Sequence, residues 1–137
     1  MGAASIYVEQ NTLDHWLCDA AIPSPPTPYL ALFTSITRLE ENTIASADEI
    51  SGGSYARVSV VGKFDPASAE SECILNDTIE FPEATADWGT ATHYAIMDGN
   101  TLGSGNILFH GELDRSRTIL EGDVFRVRTG NLKVTMD

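Results

Sequence analysis

A chain of 137 residues with 20 acidic and 8 basic side chains, for a formal net charge of −12, suits one domain with its own core. The surplus of acids weighs against direct binding to nucleic acid or to an anionic membrane face, since both call for a basic surface. The longest apolar runs are a few residues, far short of the roughly 20 needed to cross a bilayer.

The N-terminus, Met1 to Ile6, has neither a basic segment nor an apolar one, so no signal peptide is expected. Residues 5–18 place Ile6, Leu13, Trp16 and Leu17 along one helical stripe, with Ser5 as N-cap. Four prolines in the seven residues Ile22–Pro28 stop this helix and predict a stiff extended arm. The rest reads as β. Tyr29–Ser35 is apolar on both faces and predicts a buried strand, and residues 36–53 form a long polar, acidic loop. Tyr55–Val61 sets Ala56, Val58 and Val60 on one face against Arg57 and Ser59 on the other. Further strands are predicted at Ile74–Phe81, Thr90–Met97, Asn106–Leu113 and Arg117–Leu120. Val124–Arg128 and Leu132–Met136 predict a hairpin across Thr129-Gly130-Asn131. About seven or eight short strands with frequent turns predict a mainly β fold, an antiparallel β-sandwich or barrel. The chain reads as a single domain, residues 1–28 forming the helix and arm and residues 29–137 the sandwich.

Chemistry-bearing patterns are sparse. His15, His93 and His110 fall in none of the usual metal-binding spacings, and no catalytic, metal or cofactor site is expected. Asp98-Gly99-Asn100 reads as a β-turn, because the remaining ligands of a calcium loop are missing. No nucleophile motif or phosphate-binding loop is present, so the chain is expected not to be an enzyme. Cys18 and Cys73 lie 55 residues apart and read as two free thiols, with one long-loop disulfide as the alternative. Glu40, Glu41, Asp48 and Glu49 read as a solvated acidic face. Trp88 lies at a corner between two strands, where it either plugs the end of the sandwich or anchors a partner.

Several stretches carry a family likeness: Gly52–Arg57, Ile79–His93, Leu108–Leu113 and Gly122–Arg126, together with Gly130–Asp137. The helix, the proline-rich arm and Tyr29–Thr34 fit the same pattern, and the FP-x-AT-x-DWGT segment is its most specific part. With these residues the chain resembles a widespread family of small virion structural proteins of tailed bacteriophages, often labelled tail-fibre proteins. The resemblance implies a non-enzymatic component of the virion.

A fibre usually carries a shaft of repeats or coiled coil, and this chain has neither heptads nor repeats. The first expectation is therefore a capsid decoration (cement) protein on the head, a homotrimer bound to the major capsid protein or other virion proteins. A tail-associated or tail-fibre subunit is the alternative, as is a displayed module binding a host surface or carbohydrate. The expected contact residues are Ile6, Tyr7, Leu13, Trp16, Pro23, Pro25, Pro26, Pro28 and Trp88. Charge is unevenly placed as well. Residues 1–90 hold 14 acids and 3 bases, whereas residues 91–137 hold 6 acids and 5 bases.

Overall fold

In the computed structural model, which describes residues 3–22, 26–35, 38–44 and 48–136, one long antiparallel ladder organises the chain. Its strands are β1 (Ala3–Ala4), β2 (Tyr29–Phe33), β3 (Val58–Ser59), β6 (Gly89–Met97) and β7 (Ile107–Ile119), in the order β1-β7-β6-β2-β3. The helix α1 (Ile6–Leu17) follows β1 directly. Two short antiparallel ladders complete the fold: β4 (Glu72–Ile74) with β9 (Lys133–Thr135), and β5 (Ile79–Glu80) with β8 (Arg126–Val127). The architecture is mainly β, with nine strands among the described residues, and it does not close into a barrel.

β2 is buried on both faces, as its unbroken apolar run requires. Leu30 and Leu32 join Tyr94 and Ile96 in a larger core, beneath Leu75, Ile79, Phe81, Phe125 and Leu132 from the short ladders and their connections. Ala31 and Phe33 join Ala95, Met97 and Ile107 on the opposite face, under Leu39 and Ile44. A loop that reads as polar thus supplies the cover for one face of the sheet.

Three strand expectations need correction. Ile74–Phe81 is two short strands in different ladders, separated at residues 75–78. Asn106–Leu113 and Arg117–Leu120 merge into the single strand β7. The C-terminal hairpin does not form. The turn is present, with the Asn131 amide donating to the Arg128 carbonyl (3.0 Å), but β8 pairs with β5 and β9 with β4. Alternation identifies Leu132 and Val134 as core residues; it does not identify the neighbouring strand.

Tyr55–Val61 also turns differently. Ala56 is exposed and Arg57 is buried at 5% exposure, because the guanidinium meets the carboxylate of Glu49. Arg57 Nη2 and Nε donate to the two carboxylate oxygens at 2.7 and 2.8 Å. The Gly103 amide and the Tyr55 hydroxyl donate to the same carboxylate at 2.7 and 3.0 Å. Arg57 Nη1 donates to the Gly99 carbonyl (2.8 Å), and the Leu32 amide donates to the Tyr55 hydroxyl (3.0 Å). Burial, with the Glu49 charge beside it, pushes the Tyr55 hydroxyl far above its ordinary range. It therefore stays a donor to the carboxylate. Glu49 thus leaves the acidic surface and becomes a rivet joining the β2–β3 and β6–β7 loops to β2.

The GGSY and DWGT segments meet at a second structural point. Tyr55, Phe81 and Trp88 pack as an aromatic group, with Tyr55 edge-on to Trp88 (5.3 Å between centroids) and Phe125 edge-on to Phe81 (5.6 Å). The Trp88 indole donates to the Gly53 carbonyl (2.7 Å). Gly53 has φ +54°, and a Cβ there would sit 2.9 Å from the indole nitrogen and 3.0 Å from the Ala86 carbonyl oxygen. Left-handed backbone and lack of space coincide, so Gly53→Ala is expected to cost about 1–3 kcal/mol. Urea unfolding of the purified variant checks this; a midpoint equal to the native protein's would show that the corner relaxes freely.

Candidate assembly surface

α1 begins where the sequence places it. The Ser5 hydroxyl donates to the Ile107 carbonyl (2.5 Å), and the Val8 amide donates back to the Ser5 Oγ (3.5 Å). The Ser5 and Ile6 amides bind the Leu108 and Glu40 carbonyls at 3.0 and 2.7 Å. This end of the helix is therefore fixed to β7 and to the 38–44 loop. At the other end Asp19 takes a left-handed φ of 56°, and the Cys18 and Ala20 amides cap the Asp14 carbonyl.

The helix turns its more polar side inward. Tyr7, Val8, Asn11 and Thr12 are half-buried and face Pro26 and Leu108 across a small cleft. At about 100° per residue, Ile6, Leu13, Trp16 and Leu17 lie on the far side. No helix residue is buried, and Leu13, Trp16 and Leu17 are 57%, 76% and 77% exposed. The apolar stripe read from the sequence is thus real, and it lies exposed without a burying partner among the described residues. The exposed ring of Trp16 touches only His15 edge-on (5.4 Å) among the described aromatic residues.

A second apolar feature lies nearby. Pro26 and Pro28 border an open groove of about 330 Å³ lined also by Phe64, Ala67, Cys73 and Met136. Pro23 and Pro25 lie outside the described residues. Trp88 is not on this surface, nor on any other. It is 5% exposed, so it plugs the fold and is unavailable as a partner anchor.

Little on this surface is reactive. Cys18 and Cys73 are free thiols, one exposed and one half-buried. Among the described residues, no three His, Cys, Asp or Glu side chains converge as a metal site would require. His110 Nε2 pairs with Glu40 (2.6 Å), and His93 Nδ1 pairs with the Thr92 hydroxyl (2.9 Å), far from one another's partners in sequence. No helix among the described residues is long and apolar enough to span a membrane.

A protein-family profile described as Gp80, podophage GP4 fiber I protein gp80, matches residues 3–135. The chain belongs to this fibre I family. The match supports a structural component of the phage virion, as the sequence resemblance implies. No curated protein matches the chain. Within the span shared with the fibre I family, the GGSY and DWGT stretches lie at the aromatic corner and α1 lies at the exposed stripe. The first stretches build the fold; the last is what the fold leaves open. Sequence periodicity finds the stripe, but only the packing reveals which way it faces.

Proposed function

We propose that the chain is a non-enzymatic fibre subunit, attached to the tail of the particle, that assembles through α1. The family description favours this tail-fibre reading over head decoration. The observation that carries the assembly role is the outward stripe Leu13, Trp16 and Leu17. Large contiguous apolar surface on a folded protein marks an interaction site, and tryptophan is enriched at interface hot spots. The groove bordered by Pro26, Pro28 and Phe64 gives an apolar socket on the same chain. In this reading α1 of one copy seats in the groove of the next. Such head-to-tail contacts close into a ring or run on as a filament, according to the rotation between copies. The trimer expected from the sequence is one closed solution.

Cryo-electron microscopy of the virion tests the location. Density for this fold is expected in a tail-attached fibre; density on the head shell alone would overturn the reading and restore decoration.

A further inference from the structure

Apart from the assembly surface, β7 opens a different feature. β7 pairs regularly with β6 from Phe109 opposite Ile96 to Glu112 opposite His93. Pairing resumes at Arg117 opposite Ala91, so four residues, Leu113 to Ser116, stand against the single residue Thr92. Bulges of this kind re-aim side chains and are common beside binding sites. This one forms the lip of a cleft of about 440 Å³, within the size range of small-molecule sites, about 300–1,000 Å³.

The cleft has two chemical layers. Its floor is apolar: Leu32, Phe125 and Leu132 are each buried. Tyr94 is 3% exposed on the same floor, and its hydroxyl lies over Gly111 with no hydrogen-bond partner among the described residues. Its mouth is polar and carries Glu112, Asp114, Arg115, Arg117, Arg126 and Asn131. Arg126 is held by Glu80 (2.7 Å). Arg38, Arg57 and Lys63 have acidic partners too, whereas Arg115 and Arg117, like Arg128 and Lys133 outside the cleft, make no ion pair with any described residue. Two guanidinium groups without a carboxylate partner among the described residues thus line the mouth of one cleft.

We infer that this cleft binds an acidic saccharide, its carboxylate or phosphate held by Arg115 and Arg117. Guanidinium forks match both anions through paired N–H donors. A sugar ring also presents hydroxyls that both donate and accept. Glu112 and Asp114 supply acceptors, and Asn131 supplies both kinds of group. The C–H face of the ring suits the apolar floor. This inference does not rest on assembly through α1, which uses a different surface.

The test is a titration of the isotope-labelled full chain, followed by amide chemical shifts. Three probes are used: digalacturonic acid, glucose 1-phosphate and neutral galactobiose. Digalacturonic acid or glucose 1-phosphate is expected to shift amides at 113–117, 126–127 and 131, and the stronger of the two identifies the anion. Galactobiose is expected to bind at least about tenfold more weakly, and Arg115→Gln with Arg117→Gln to cost the acidic probe about tenfold or more. Both arginines are exposed, so the double variant keeps its folded spectrum. Equal binding of the neutral sugar, shifts confined to another surface, undiminished binding by the double variant, or no shift with any probe would each overturn the inference.

Discussion

Glu49→Gln and Arg57→Leu are each expected to lower the unfolding free energy by about 3–5 kcal/mol, because either change strands a buried charge or its donors. The Glu49 carboxylate takes four donors, from Arg57 Nε, Arg57 Nη2, the Gly103 amide and the Tyr55 hydroxyl. Its side chain is 1% exposed and that of Arg57 is fully enclosed, so water cannot replace a lost partner. Natural domains are stable by only about 5–15 kcal/mol, so either variant is expected to sit near its unfolding threshold at room temperature. The double variant Glu49→Gln with Arg57→Met removes both charges, and it is expected to cost clearly less than the two single losses added together. Urea unfolding of the three variants with a shared slope measures this. Single variants within about 1 kcal/mol of the native protein would mean that the pair is hydrated and contributes only as surface pairs do.

This pair also shows where sequence reading stops. Glu49 sits in an acidic loop and Arg57 on the polar side of an alternating strand, so each reads locally as solvent-facing. They become interior only because the chain brings the two together across the seven residues between them. Local alternation cannot register that pairing, and it is the pairing that turns Arg57 inward. The C-terminal hairpin fails for a related reason. Val134 and Leu132 are recognisable as core, but their strand partners come from residues some 60 positions earlier, through Cys73 and its neighbours. By contrast α1, its Ser5 cap and the buried strand Tyr29–Phe33 depend on neighbouring residues alone, and they are legible for that reason. The exposed stripe was half legible. Its period is written in the sequence, while its direction follows from Tyr7, Val8, Asn11 and Thr12 packing inward instead.

That direction makes the strongest prediction about assembly. Trp16→Ser with Leu17→Gln is expected to weaken self-association by about 2 kcal/mol or more, roughly 30-fold, as hot-spot losses do. The same variant should unfold at the native urea midpoint, since neither side chain is buried in the single chain. A change on the socket side, Ala67→Glu with Met136→Glu, alters two exposed groove residues and is expected to give the same defect. Mixing the two variants then discriminates between kinds of interface. The helix variant keeps a sound groove and the groove variant keeps a sound helix, so together they retain one working contact. Mass measurement in solution should find each variant monomeric alone and a one-to-one complex in the mixture. A face-to-face contact between two helices would instead stay broken in the mixture, because only one partner brings an intact stripe. It would also leave the groove variant fully assembled, and that pair of results would exclude head-to-tail seating of α1.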